Sequence, residues 1–226
     1  MKKLKVLTLA MCCLMAVVGC QTKQGTGALI GTGGGAVLGA IIGKIAGNTA
    51  VGAAIGGAVG AGAGAIIGRH IDKVAAETAA KVENAKVDEV TDANGLKAVR
   101  VTFDSGILFA TNKADLSAAS KTALANFSKT LKENNLLYVD IYGHTDSTGN
   151  DGINIPLSNK RAQSVEAYLK SCGVSASQLQ KVVGKGSSEP VADNATVQGR
   201  KENRRVEVYL YASQAMIDAA NAGTLK

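Results

Sequence analysis

The chain has few of the side chains that build metal centres, disulfide frameworks or nucleic-acid surfaces. Its 226 residues include two histidines, His70 and His144, which argues against a multi-histidine metal site. Cys172 is the one cysteine after position 20, so the chain after that position has no second thiol for an internal disulfide. Aromatic residues make up 4% of the chain and its lysines and arginines are scattered, which argues against nucleic-acid binding. We therefore expect neither a metal nor a cofactor.

The first 19 residues have the layout of an export signal. Three lysines precede an apolar run that ends at Val18, and Gly19 and Cys20 follow. The run Val17-Val18-Gly19-Cys20 resembles a bacterial lipobox, in which the cysteine is acylated and becomes the new N-terminus. That resemblance implies lipidation of Cys20, by palmitate or a similar acyl chain, and Gln21 after it implies sorting to the outer membrane. The alternative is an ordinary cleaved signal peptide.

Glycines recur at every fourth position from Gly27 to Gly47 and, after one five-residue step, from Gly52 to Gly68. Residues four apart share one face of an α-helix, and small residues at that spacing let membrane helices pack closely. After a lipid anchor and short spacer over 20–26, we expect a glycine-zipper helical hairpin over 27–68, inserted in a membrane or lying against it. Two alternatives remain open: homo-oligomerisation through the glycine faces, and a flexible spacer.

The rest of the chain is predicted to contain a linker helix, a soluble domain and a short tail. The charged, alanine-rich stretch 69–96 is predicted to be the linker helix, which ends at Asn94-Gly95 and holds the next domain away from the membrane. Residues 97–212 are predicted to fold on their own. Residues 213–226 are expected to form a C-terminal tail, helical or not, without an assignable role.

Hydrophobic periodicity predicts the architecture of the soluble domain. Apolar residues alternate in three strands and a short fourth strand, and they form stripes along two amphipathic helices. These segments are 99–103, 137–142, 206–210 and 181–184 for the strands, and 115–134 and 154–171 for the helices. Their order predicts an α+β fold, namely a two-layer α/β sandwich of the βαβαβ type.

Three polar clusters in this domain form a family signature. They are Gly143, His144, Thr145, Asp146 and Gly149; then Asn154, Leu157, Ser158, Arg161 and Ala162; then Gly199, Arg200, Asn203, Arg204, Arg205 and Val206. In this order the set resembles the OmpA-like C-terminal domain, which binds peptidoglycan non-covalently. With the lipobox and the glycine repeat in front, the whole chain resembles outer-membrane lipoproteins of the YiaD type.

The resemblance implies a binding site for diaminopimelate, a residue of the peptidoglycan stem peptide. Asp146 matches the aspartate that grips the ammonium group, and Arg161 matches the arginine that grips the carboxylate. The chemistry is reasonable because a guanidinium fork meets a carboxylate in two parallel hydrogen bonds. The supporting pocket residues implied by the resemblance are Phe109, Thr111, Asn112, Thr145, Asn154, Leu157 and Arg204. The sequence departs from the family at Ala110, where an aspartate is usual.

Several residues also have simpler interpretations. Asp146 and Arg161 could pair with each other as a surface salt bridge, which contributes little to stability. His144 is more readily interpreted as a hydrogen-bonded structural residue than as a general base. Arg204 and Arg205 are expected to divide their roles, one bracing the site and the other facing solvent, and the sequence leaves open which does which.

The resemblance implies a protein that tethers the outer membrane to the cell wall, with the lipid at the membrane and the C-terminal domain in the periplasm. The alternative is a pore-forming or membrane-organising glycine-zipper lipoprotein, or an outer-membrane assembly helper, in which the wall-binding domain is only an anchor. A wall hydrolase that uses His144 and Asp146 is disfavoured because the sequence offers no convincing nucleophile. We therefore expect a binding protein and no enzyme.

Overall fold

The computed structural model describes residues 59–60, 62–92, 95–110 and 112–225. The predicted export signal, the lipid anchor and most of the predicted glycine-zipper hairpin lie outside these ranges, and so does Thr111 of the predicted pocket. Within the described ranges, no helix is both long and apolar enough to cross a membrane.

Five strands form one mixed sheet in the order β1-β2-β5-β3-β4. The strands are β1 (Ala85–Thr91), β2 (Lys97–Asp104), β3 (Leu137–Gly143), β4 (Leu179–Gly184) and β5 (Arg205–Ala212). β3 and β4 are parallel, and the other neighbouring pairs are antiparallel. Because successive side chains of a strand point to opposite faces of the sheet, every second residue of β2, β3 and β5 points into the same buried core. The four predicted strands are confirmed, and β5 lies at the centre of the sheet.

Helices cover one face of this sheet. The described helices are α1 (Ala63–Lys81), α2 (Ser105–Leu108), α3 (Ala118–Glu133), α4 (Asp151–Ser171), α5 (Val197–Asn203) and α6 (Gln214–Asn221). The two predicted amphipathic helices, α3 and α4, pack on the apolar face of β2, β3 and β5. They bury Leu124, Phe127 and Val165 in the shared core. The side chain of Ser117 caps α3 by accepting a hydrogen bond from the backbone N–H of Ser120. The predicted two-layer α/β sandwich is confirmed.

The predicted linker helix over 69–96 is wrong in its extent. Helix α1 ends at Lys81, and residues 85–91 form the edge strand β1, which pairs antiparallel with β2. The Asn94-Gly95 sequence, interpreted as a helix end, is a common hairpin-turn pair, and Gly95 has a positive φ of 75°. The Asp92 carboxylate holds this turn by accepting from the backbone N–H of Leu96 at 2.9 Å.

The predicted role of the linker helix is also wrong, because α1 packs into the core. Ile67, Ile71 and Val74 are fully buried there, beside Met216 and Ile217 of α6. The predicted domain bounds of 97–212 are therefore too narrow, and the predicted tail over 213–226 contains a packed helix. The described fold already includes the end of the glycine repeat, because Gly64 and Gly68 lie in α1 and Val59 packs against the core.

Truncating the apolar face of α1 tests its place in the core. We expect Ile71→Ala to lower the free energy of unfolding by about 2 to 5 kcal/mol, because it leaves a cavity in a fully buried site. Lys73→Ala is the matched control on the exposed face of the same helix and should change it by less than about 0.5 kcal/mol. Urea denaturation of both variants measures the difference, and equal effects would mean that α1 is a separate linker.

Candidate functional site

The register of the central strands brings the candidate site to one edge of the sheet. Gly143, at the end of β3, pairs with Val206 near the start of β5. The chain that leaves β3 therefore runs beside the chain that enters β5, which brings Asp146 close to Arg204. Arg161 reaches the same edge from α4, the helix that follows β3.

Asp146 is a charged carboxylate that already has two partners. Its Oδ2 accepts a hydrogen bond from Nη1 of Arg204 at 2.5 Å, and its Oδ1 accepts from the backbone N–H of Thr148 at 2.8 Å. Burial would raise the pKa of this carboxyl, but the hydrogen bonds from Arg204 and Thr148 outweigh it and lower the pKa below its usual value. Asp146 is therefore ionised at neutral pH.

Arg161 is buried without a carboxylate partner. The residue is 5% exposed, its Nε donates to the backbone oxygen of Lys113 at 3.0 Å, and its guanidinium carbon lies 5.2 Å from the ring centre of Phe109. Burial lowers the pKa of this guanidinium, and the neighbouring Arg204 lowers it further, while Asp146 acts in the opposite direction. Arginine nevertheless stays protonated in proteins, so the charge remains.

The charge pairing differs from the surface salt bridge between Asp146 and Arg161 that the sequence left open. Asp146 forms its ion pair with Arg204 and not with Arg161. Among the described residues, no acidic side chain lies within 4.0 Å of the Arg161 guanidinium, and its two Nη nitrogens have no protein acceptor. A buried charge without an ion-pair partner is costly, and a guanidinium in this position is chemically able to pair with an anionic group.

Two glycines let α4 approach the sheet closely enough to bury Arg161. A Cβ atom on Gly143 would lie 2.2 Å from the backbone oxygen of Ser158, and one on Gly184 would lie 2.2 Å from the backbone nitrogen of Asn159. The side chain of Asn159 accepts from the N–H of Gly184 at 2.6 Å. Arg161 therefore projects from a turn of α4 whose backbone rests directly on the ends of β3 and β4.

Asn203 organises the loop beside Asp146. It is fully buried, and its Oδ1 accepts from the backbone N–H groups of Val191 and Ala192 at 2.8 and 2.9 Å. Its Nδ2 donates to Oδ1 of Asn194 at 2.9 Å, and the same oxygen accepts from the backbone N–H of Ser147 at 3.1 Å. The sequence pattern contained Asn203, but it gave no signal for Asn194 because this contact joins two distant loops.

The other predicted pocket residues differ in how closely they join the site. Asn154 is buried, and its Nδ2 donates to the backbone oxygens of Thr148 at 3.0 Å and Asp146 at 3.4 Å. Thr145 is buried next to Asp146, and its backbone N–H donates to the oxygen of Gly186 at 2.9 Å. Both residues thus hold the loop that carries Asp146.

Leu157 and Asn112 lie further from the charged centre. Leu157 is half-buried on α4, one turn before Arg161 and on the same helix face. Asn112 is exposed and adopts a left-handed backbone with φ of 56°, in the loop that leads to Lys113. That loop supplies Phe109 and the backbone acceptor for Arg161, so its conformation bears directly on the site.

Arg204 and Arg205 divide their roles in a different way from the prediction. Arg204 is the partly exposed one, and it reaches Asp146. Arg205 does not face solvent: it is buried, its Nε donates to Oε1 of Glu207 at 2.7 Å, and its Nη2 donates to the backbone oxygen of Glu189 at 3.1 Å. Arg204 lies in the bend between α5 and β5, whereas Arg205 is the first residue of β5 and shares a face of the sheet with Glu207.

His144 is buried as a structural residue would be, but its side chain lacks the predicted hydrogen bonds. The residue is 1% exposed, neither ring nitrogen has a hydrogen-bond partner, and Nε2 lies 3.7 Å from Oε2 of Glu207. Burial and the nearby Arg205 lower the pKa of His144 to about 3, although Glu207 acts in the opposite direction. His144 is therefore neutral at physiological pH and lies in the interior.

A cavity of about 770 Å³ opens on the other face of the sheet. It contains none of the predicted binding residues. Its charged walls are already paired, as between Arg100 and Asp88 at 3.0 Å and between Arg205 and Glu207 at 2.7 Å. The edge that carries Arg161 is the better candidate site because it holds a buried charge without a partner. Among the described residues, no cluster of three or more histidine, cysteine or acidic side chains could hold a metal ion.

Comparison with known families supports the resemblance inferred from the sequence. Residues 108–204 match the OmpA family, and residues 1–72 match the YMGG-like Gly-zipper family. The first match contains Asp146, Arg161 and Arg204. The predicted combination of an OmpA-like domain with a glycine-zipper segment is confirmed.

Curated relatives share about half of the chain. The outer-membrane lipoprotein YfiB of Pseudomonas aeruginosa is 40% identical over 110 residues, which are 49% of this chain and 65% of that protein. The peptidoglycan-binding protein ArfA of Mycobacterium tuberculosis is 41% identical over 111 residues, which are 49% of this chain and 34% of that protein. The chain thus covers 65% or less of the length of these two relatives.

A solved structure shares the fold. The cell wall anchor of the T6SS from Pseudomonas aeruginosa superposes with a TM-score of 0.50 at 25% identity, over 63% of this chain and 97% of that one. The similarity therefore extends over nearly the whole of that anchor.

The neutral, buried His144 predicts that the domain loses stability in mild acid. Its pKa is about 3 in the folded state and about 6.5 when unfolded, so between these values the unfolded chain binds the extra proton. Between pH 7 and pH 5, protonation of this histidine in the unfolded chain should therefore lower the free energy of unfolding by about 2 kcal/mol. Urea denaturation at both pH values measures it.

The matched variants for this measurement are His144→Gln and His70→Gln. The first should remove the pH-dependent loss that His144 causes, and the second should retain it. An unchanged pH dependence in His144→Gln would show that this imidazole does not titrate in the way that its burial implies.

Proposed function

We propose that this protein, whose residues 108–204 match the OmpA family, binds peptidoglycan non-covalently through the diaminopimelate of the stem peptide. By this contact it tethers the outer membrane to the cell wall. The observation that carries the proposal is the buried guanidinium of Arg161, which lacks a carboxylate partner and lies beside the ionised Asp146. The name of the relative ArfA, a peptidoglycan-binding protein, supports the same ligand class.

Arg161 suits the carboxylate of a diaminopimelate side chain. Its Nε is engaged by Lys113, while its two Nη nitrogens are available for the fork geometry that a carboxylate accepts. The face of Phe109 lies against the guanidinium and restricts its orientation. A ligand carboxylate therefore gains an oriented, partly desolvated partner.

Asp146 suits the ammonium group of the same side chain. An ionised carboxylate has about four lone-pair directions, and two hydrogen bonds occupy Asp146, one on each oxygen. A ligand ammonium can therefore bind Asp146 without first displacing Arg204. A lysine in place of diaminopimelate would keep this contact but leave Arg161 without its carboxylate, so the site discriminates between the two wall types.

The membrane end of the tether rests on the sequence and on the comparisons. Lipidation of Cys20 would fix the chain in the outer membrane, in keeping with the name of the lipoprotein YfiB, and would leave the C-terminal domain in the periplasm. Residues 27–68 would add contacts with the membrane or with further copies of the chain. The relatives' names, an outer-membrane lipoprotein and a peptidoglycan-binding protein, support a binding protein rather than an enzyme.

The Gly-zipper match over residues 1–72 favours one second candidate function. In it the zipper organises the membrane, forms a pore or assists outer-membrane assembly, and the wall-binding domain only holds the chain in place. Both functions use the same modules, and they differ in which module the cell depends on.

Sedimentation with purified sacculi tests the wall-binding site. We expect the full chain in mild detergent to sediment with diaminopimelate-type sacculi, and Arg161→Ala or Asp146→Ala to abolish this without unfolding the domain, which thermal denaturation checks. Loss of one charged partner should cost about 2 to 5 kcal/mol of binding free energy. Lys160→Ala, which removes an exposed charge next to Arg161, should sediment like the wild type. Wild-type levels of binding in both site variants would exclude this site.

Deletion of the glycine repeat separates the two candidate functions. The deletion should cover residues 27–58, because Val59 packs against the core and α1 starts at Ala63. For a tether, we expect cells with this deletion to keep normal detergent resistance, whereas Arg161→Ala cells lose it. The reverse pattern in the same assay would favour the membrane-organising function.

A further inference from the structure

The three charged side chains of the site carry an excess positive charge. Arg161 and Arg204 each contribute one positive charge and Asp146 contributes one negative charge. The three groups interact, because Arg204 lowers the pKa of Arg161 while Asp146 raises it. Next to Phe109, which packs on Arg161, the chain has Ala110, so that position adds no negative charge.

A zwitterionic ligand head does not remove this excess. Its carboxylate neutralises Arg161 and its ammonium is neutralised by Asp146, but Asp146 is also the ion-pair partner of Arg204. Sharing one carboxylate between an ammonium and a guanidinium leaves Arg204 incompletely compensated. The uncompensated charge lies at the mouth of the site, since the Arg204 side chain is 39% exposed whereas that of Asp146 is 10% exposed.

Arg204 also has hydrogen-bond donors to spare. Its side chain uses Nη1 to reach Asp146, and among the described residues its Nε and Nη2 have no protein acceptor. A guanidinium has five N–H donors in a fixed plane. A second carboxylate of the ligand, arriving from the solvent side, would meet these donors and balance the charge of the site.

We propose that the site prefers peptidoglycan stems that end at diaminopimelate, and that Arg204 determines this preference. The inference rests on the proposed function. When the stem ends at this residue, the carboxylate on its main-chain centre is free. When the stem continues, that carboxylate becomes a neutral amide, and the terminal carboxylate moves one residue further from the diaminopimelate head. In the preferred ligand the diaminopimelate itself therefore carries two carboxylates and one ammonium, which complement two guanidiniums and one carboxylate.

The expected preference is modest because Arg204 is partly exposed. Ion pairs at this degree of exposure are worth little in water, so the shorter stem should bind about two- to fivefold more tightly. Salt screens such contacts, and the preference should shrink as the ionic strength rises.

Calorimetric titration with two soluble muropeptides tests the proposal. The probes are the disaccharide tripeptide, whose stem ends at diaminopimelate, and the disaccharide tetrapeptide, which has one more residue. They are titrated into the full chain in mild detergent. We expect wild type and Arg204→Lys to prefer the tripeptide, and Arg204→Gln to bind both equally. Lys201→Gln removes a nearby exposed charge that lies next to Asp104 and should keep the wild-type ratio.

The possible outcomes are distinguishable. Equal affinities in the wild type at low salt would overturn the preference and leave the proposed function intact. Binding of neither muropeptide by the wild type would overturn the proposed function and this inference with it. A preference that persists in Arg204→Gln would overturn the assignment to Arg204. If that variant fails to fold, a wild-type preference that does not change with salt would overturn the assignment instead.

Discussion

The backbone contact between α4 and the ends of β3 and β4 determines the geometry of the candidate site. No side chain fits at Gly143 or Gly184, because a Cβ there would overlap the helix backbone at Ser158 and Asn159. The two elements can therefore approach until only main-chain atoms separate them. That approach places the next turn of α4 inside the edge of the domain, and Arg161 is buried as a result. Under the proposed function, this buried guanidinium is the group that meets the ligand carboxylate.

The arginine doublet links this edge to the opposite face of the sheet. Arg204 contacts Asp146 at the open edge, and Arg205 lies beneath the other face in a buried ion pair with Glu207. The buried pair fixes the start of β5, and this limits the directions from which Arg204 can reach the site. One residue of the doublet thus supplies rigidity and the other supplies the charge that a ligand meets.

Much of the fold could be predicted because its main elements have clear periodicity. Strands β2, β3 and β5 alternate cleanly, and α3 and α4 carry apolar stripes. Strand β1 was missed because Asp88 and Glu89 interrupt its alternation, and because it follows an alanine-rich helix. The roles of Arg204 and Arg205 could not be predicted, because they depend on the register of β5 against β3, which joins residues far apart in the chain. The lack of partners around His144 has the same origin, since local sequence does not specify which groups surround a buried ring.

The packing of α1 limits how far the protein can reach. A helix standing between anchor and domain would lengthen the molecule by about 1.5 Å per residue, whereas a helix folded against the sheet adds nothing. For a chain held at Cys20, the whole reach would come from the residues between Cys20 and Val59, which would span about 135 Å if fully extended. A widening gap between membrane and wall would draw out this segment first. Once this segment is fully extended, tension would act on the apolar contacts of α1. The domain would then open at its N-terminal helix, far along the chain from the residues of the binding site.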